Sequence, residues 1–224
     1  MRMAGKFINR LKTEVLLSAG RRAWLFSTFD IAFLRNCAKF EIPAKTMSDP
    51  ESSRNVEIKA RLGSDENYKA AVEIARNLTS TDGEVIKQRD VFFNSREGRL
   101  KLRYMSDCNM LIYYARDDEA GPKLSNYYTV KVEDASTLEH VLTTSNGTRG
   151  IVQKERLLFI HENTRIHLDK VENLGNFLEF EVVLKPGEKV EQGQEFAEKM
   201  MKIFKIREED LLTGAYLDLL VGKQ

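Results

Sequence analysis

"GRLKLRY", residues 98–104, sets a cation at every second position: Arg99, Lys101 and Arg103, with Leu100, Leu102 and Tyr104 between them. Successive side chains of a β-strand point to opposite faces, so this alternation predicts a strand with one charged and one apolar face. Two cations ~6.6 Å apart on one strand repel by roughly 2.5 kcal/mol at an effective dielectric of 20. A row of them calls for a multiply anionic partner.

The same alternation recurs on either side. "RNVEIKARL" (54–62) puts Val56, Ile58, Ala60 and Leu62 on one face and Glu57, Lys59 and Arg61 on the other. Lys87 and Arg89 share a face in "EVIKQRDVFFN" (84–94), and Lys154 and Arg156 in "GIVQKERLLFIH" (150–161). Arg165, His167 and Asp169 share one in "TRIHLDKVE" (164–172), and Glu179 and Glu181 in "FLEFEVVL" (177–184). "MLIYYARD" (110–117) and "NYYTVKVED" (126–134), rich in β-branched and aromatic residues, complete a count of about eight strands. Hairpin-length turns such as 94–98 imply antiparallel pairing. Helices are expected at 66–78, 135–144 and 191–204, and a last one within "EEDLLTGAYLDLL" (208–220).

Eight antiparallel strands suffice to close a barrel whose interior holds side chains or one small ligand. The fold class expected is therefore α+β, an eight-stranded antiparallel β-barrel with helices packed outside. A sheet with one wet face would show the same alternation without any function. Two features point inward instead. The amphipathic helices need an apolar sheet face to cover, which leaves the charged face to curl inward. The signs are also segregated, most strands being cationic or acidic but not both.

Composition narrows the field. The 224 residues are 42% hydrophobic and 31% charged, with a net charge of +1. That balance gives no bulk electrostatic case for nucleic acid or a membrane surface. No apolar run reaches the roughly 18 residues that a spanning helix needs. Cys37 and Cys108 lie far apart, as expected of a reduced, cytoplasmic protein, and the dispersed His140, His161 and His167 argue against zinc. Residues 1–46 read differently. Their first 29 positions hold six basic residues and only Glu14 as an acid, with Phe7, Leu11 and Val15 at helical spacing. This fits an organellar transit peptide, which would make the location mitochondrial; an extension outside the working protein, with Met47 a natural start; or an appended helix.

Lys and Arg rows directed into a barrel suit a linear triphosphate, Arg by bidentate contact and Lys as a point charge. Glu179 and Glu181 cannot hold phosphate but can hold Mg²⁺ or Mn²⁺, which bridge to phosphate oxygens. Cations for phosphate and acids for metal are the two halves of a phosphoryl-transfer site.

Here the sequence resembles a known family. "NVEIKARL" is similar to the N-terminal ExExK signature of the CYTH superfamily, the triphosphate tunnel metalloenzymes, which include class IV adenylyl cyclases and thiamine-triphosphatases. "GRLKLR", "YYARDD…GPKLSNY", "VQKERLLF", "IHLDKVENLGNFLEFEVVL" and "LLTGAYLDLL" resemble the family in the same order, closest to its class IV cyclase-like branch. The resemblance delimits a domain at 54–221 after the 1–46 extension. It implies a triphosphate tunnel with Glu57, Glu179 and Glu181 as metal ligands, Asp169 assisting, and Lys59, Lys101, Arg103, Arg116, Lys154 and Arg156 on the phosphates. Arg99, Lys87, Arg89 and Arg165 fit the alternation but match the family less clearly, and His167 reads as a packed histidine. Asn55 stands where the signature has its first Glu, which removes one negative charge from the metal site.

The expected function is metal-dependent hydrolysis of a nucleoside, thiamine or inorganic triphosphate, with Mg²⁺ or Mn²⁺ as cofactor and Lys59 orienting or deprotonating the nucleophile. Hydrolysis needs neither a nucleobase pocket nor alignment of a ribose 3′-hydroxyl. A class IV-type adenylyl cyclase making cyclic AMP and pyrophosphate is the alternative. A non-catalytic polyphosphate or nucleotide-binding module, motivated by Asn55, is a second. The expected partner is a small-molecule triphosphate, with no nucleic acid and no membrane, the protein being a monomer or homodimer.

Overall fold

The computed structural model describes residues 52–222; the expectations for residues 1–46 lie outside them. Eight strands form a closed barrel: β1 (Ser53–Gly63), β2 (Glu84–Phe93), β3 (Arg99–Tyr104), β4 (Asn109–Arg116), β5 (Lys123–Val132), β6 (Thr148–His161), β7 (Thr164–Val171) and β8 (Gly175–Leu184). Their order around the barrel is β1-β5-β4-β3-β2-β6-β7-β8, every neighbouring pair antiparallel. Closure leaves no exposed sheet edge.

The barrel is inverted relative to a simple two-layer domain, apolar outside and charged inside. Val56, Ile58, Ile166, Leu168, Leu178 and Phe180 face outward and are buried beneath two helices, α1 (Asp65–Thr79) and α3 (Val190–Phe204). The inner sides of those helices are Ala71, Val72 and Ala75, and Ala197, Met200 and Phe204. Ser64 starts α1 by accepting a hydrogen bond from the Asn67 backbone N–H at 3.2 Å, and Asp134 starts α2 (Ala135–Asn146) in the same way with Thr137. Helix α2 lies over the outer residues Val91, Phe93 and Leu102. With one face of each strand turned toward the outer helices and solvent, the other face lines the lumen.

The helix expected within 208–220 is broken. A 3₁₀ turn at Glu208–Asp210 is followed by extended chain, and only Tyr216–Val221 is helical (α4). The cause is a backbone demand. Strand β5 pairs with β1 only as far as Glu57, leaving the next β1 groups without a partner on that side. The extended chain fills the gap: Leu211 bridges Ala60, and the Leu212 N–H donates to the Lys59 carbonyl at 2.8 Å. Lys123 Nζ then donates to the Leu212 and Thr213 carbonyls at 3.1 and 3.0 Å. This segment delivers Ala215 and Tyr216 to the end of the barrel at which β1 finishes, where they close off the lumen as a floor.

No helix among the described residues is long and apolar enough to cross a membrane.

Gly150 of β6 lets α4 approach, since a Cβ there would lie 2.6 Å from Leu217 Cδ1. Gly150→Leu should therefore overpack this contact at a cost of about 1–3 kcal/mol. The expected outcome, read by hydrogen exchange, is faster exchange across 211–221 while the β1–β8 amides keep their protection.

Candidate active site

The lumen is a cavity of about 520 Å³. Strand parity decides what enters it, and ring order decides what faces what. β8 lies opposite β3, so the acids of β8 and β1 look across the lumen at the cations of β3, with those of β6 alongside. Glu57, Lys59, Lys101, Arg103, Arg116, Lys154, Arg156, Glu179 and Glu181 all line it. The pairing of β1 with β8 sets Glu57 opposite Glu181 and Lys59 opposite Glu179.

Carboxylates hold the cations in place. Asp90 accepts two bonds from Arg103 at 2.7 Å each and one from Lys101 at 3.2 Å. Glu179 takes Lys59 and Arg156 at 2.8 Å each and His167 Nδ1 at 3.3 Å. Arg116 pairs with Glu57. Asp169 is placed differently from the other predicted site residues. It is fully buried, is not among the residues lining the cavity, and has both oxygens taken, by Arg156 at 2.7 Å twice and by the Tyr216 hydroxyl at 3.0 Å, with Lys154 at 3.4 Å.

Burial sets the protonation. It pushes Lys154 down to about 7, with the Arg156 charge adding to the effect, and Lys101 down to about 8 with help from Arg103. Burial works against the carboxylates too, yet Arg103 and Lys101 hold Asp90 well below the usual range, and Lys59 with His167 does the same for Glu179. His167 is lowered by burial and by Arg156.

Several residues sit where the alternation alone did not put them. In β2 it is Ile86, Gln88, Asp90 and Phe92 that line the lumen. Lys87 and Arg89 point outward, and Arg89 is paired with Glu139 of α2 at 2.9 Å. The available signal was Val91 and Phe93, which share their parity and had to lie beneath a helix. Asp90, which anchors two of the predicted phosphate binders, was missed for the same reason. Arg99 has the inward parity but is bound by Asp118 and Asp218 at 2.7 and 3.0 Å. Arg165 lines the lumen, 2.9 Å from Glu181. His167 lies buried in the cavity wall, its Nδ1 3.3 Å from Glu179.

A divalent cation fits these donors. One ligand atom each of His167, Glu179 and Glu181 lies within 4.8 Å of the others. Asn55 also lines the lumen, and its buried Oδ1 has no hydrogen-bond partner. Carboxylates with an amide oxygen suit Mg²⁺ or Mn²⁺, and an imidazole favours the softer of the two.

The CYTH domain model matches residues 53–216. No curated protein matches the sequence. Similar solved structures include a protein from Pyrococcus horikoshii OT3, 22% identical over 74% of this chain and 98% of its own, TM-score 0.62. A candidate adenylate cyclase from Vibrio parahaemolyticus is 16% identical over 75% and 97%, TM-score 0.58. An adenylyl-cyclase-like protein from Hippeastrum, described as having a dominant triphosphatase activity, is 15% identical over 76% and 96%, TM-score 0.54. At these identities the likeness establishes the fold.

The depressed lysines give the fold a pH signature. Lys154 is neutral in the folded protein above about pH 7 but keeps its proton in the unfolded chain up to its ordinary value of 10.5. Between those limits the unfolded chain binds the extra proton, so stability rises with pH, by up to about 1.4 kcal/mol per unit for each such lysine. Urea midpoints measured without ligand from pH 7 to 9 should climb, and Lys154→Met should flatten the climb.

Proposed function

Because the chain belongs to the CYTH domain family, we propose that it binds a triphosphate inside the barrel and hydrolyses a phosphoanhydride bond with the aid of a divalent cation. One observation carries the reading: cations on β3 face acids on β8 and β1 across a single cavity, with the cations of β6 alongside. The lysines and arginines around one lumen repel one another in the free protein, and a triphosphate relieves that repulsion more fully than any singly charged ligand.

In this reading Lys101, Arg103, Lys154 and Arg156 bind the phosphate oxygens, with Arg116 and Lys59 at the acidic side. Arg103 and Arg156 arrive pre-aimed, because Asp90 and Asp169 fix their guanidinium planes. Asp169 therefore positions Arg156 instead of joining the metal. Glu57, Glu179 and Glu181 would hold the cation, with His167 and the Asn55 oxygen completing the set. A bound cation would neutralise charge on the phosphate oxygens. Water attacks the terminal phosphorus, the bridging P–O bond breaks, and the products are a diphosphate and phosphate. Lys154 is suited to a proton role near neutral pH, since its ammonium and amine forms are both accessible there. Lys59, paired with Glu179 and 4.4 Å from the Tyr216 ring centre, orients the chain's end. The activity described for the Hippeastrum neighbour supports hydrolysis over cyclisation.

Product analysis tests this. ATP, tripolyphosphate and thiamine triphosphate, each with Mg²⁺ or Mn²⁺, should yield phosphate and the corresponding diphosphate. Glu179→Gln should lower kcat by about 100-fold or more while triphosphate still binds. Cyclic AMP with pyrophosphate would identify a cyclase instead. Binding of all three by the wild type with no product under either metal would identify a binding module.

A further inference from the structure

Beneath the charged belt, at the end where β1 finishes, three aromatic rings line the lumen: Phe92, Tyr114 and Tyr216. Phe92 and Tyr216 belong to the apolar cluster that includes Val152, Phe177 and Leu217, and Tyr114 packs against it. Each ring turns a face toward a lysine ammonium. Tyr216 carries two, with Lys59 Nζ 4.4 Å and Lys154 Nζ 5.1 Å from its ring centre. Lys101 Nζ lies 5.5 Å from the Phe92 centre and 5.4 Å from that of Tyr114. These lysines come from β1, β6 and β3, so the rings gather ammonium groups from three strands.

The lysines need this support, because the arginines take the better carboxylate positions. Arg103 holds Asp90 by two bonds of 2.7 Å, and Lys101 has one at 3.2 Å. Arg156 holds Asp169 at 2.7 Å twice and the Tyr216 hydroxyl donates to it at 3.0 Å, which leaves Lys154 at 3.4 Å. An aromatic face attracts a cation through its quadrupole, and more strongly where water is excluded. It carries no net charge of its own. A carboxylate in the same place would cancel the ammonium charge and repel a phosphate; a ring does neither.

We propose that Tyr216 is a positioning residue for the phosphate chain: its ring holds the ammonium groups of Lys59 and Lys154 together as a pair, with their charge free for a phosphate at the closed end of the lumen. The inference rests on the triphosphate reading above and adds to it the means by which two mutually repelling lysines are kept in place. Phe92 and Tyr114 do the same for Lys101. The hydroxyl bond to Asp169 fixes the Tyr216 ring, which also packs on Phe177 with the ring centres 4.8 Å apart. Asp169 thus ties the ring that carries Lys59 and Lys154 to the guanidinium of Arg156.

Fluorine draws negative charge off a ring's face with little change of shape, so it separates this role from packing. The full chain is made as Tyr216→Phe, and then with mono-, di- and trifluorinated phenylalanine at the same position. Inorganic tripolyphosphate is titrated into each by calorimetry without divalent cation. Kd should rise with every fluorine added, reaching about tenfold or more above the Tyr216→Phe value with three. If Tyr216→Phe does not fold, the same series on the native Phe92 ring decides instead, with a rise of about threefold or more expected. A Kd indifferent to fluorine count, in a protein whose wild type binds tripolyphosphate, would overturn the positioning role and leave the triphosphate reading standing. A wild type that binds no tripolyphosphate would remove both.

Discussion

The rest of the structure depends on one arrangement: cations crowded into a closed barrel and held there by carboxylates. Taking charges out of water is costly unless each finds a partner. Here the partners are supplied in pairs. Asp90 serves Lys101 and Arg103, and Asp169 serves Lys154 and Arg156. The compensation is incomplete, as the depressed Lys154 and Lys101 show. Part of the cost of crowding therefore stays in the free protein, where burial draws these two lysines toward their neutral forms.

The inverted barrel is what makes this possible. Helices α1, α2 and α3 cover the outward apolar parity, so the fold gets its hydrophobic core from the outside of the sheet. The lumen is then free of any packing duty. An eight-stranded barrel can either fill its interior with side chains or leave it open to one small ligand, and here the packing lies outside.

Much of this could be read from alternation, because a strand's period of two is rigid. Lys101 and Arg103, and Glu179 with Glu181, came with apolar neighbours in sequence, and the structure puts them in one cavity with Lys154 and Arg156, whose intervening residue is Glu155. Parity was misread in β2, which carries polar groups on both faces. In β2, Lys87 and Arg89 looked like the functional row, yet the buried Val91 and Phe93 fix them outside and bring Asp90 in. The broken helix at 208–220 was illegible for another reason. Its amphipathic pattern is real, but it is overruled by β1 backbone groups left unpaired more than a hundred residues earlier, a demand that no local window contains. Asp169 has a role that depends on Tyr216 and Arg156 meeting it from elsewhere in the chain.

The acidic wall has one more property. Glu57 and Lys59 come from the first strand, Glu179 and Glu181 from the last, and they face one another only across the β1–β8 seam. That seam joins the strands farthest apart in the chain, and non-local pairing of this kind is the slow event in folding. The cationic rows of β3 and β6 meet through β2, within the middle of the chain, and take nothing from that seam. The acidic wall is complete only where the two ends of the domain come together.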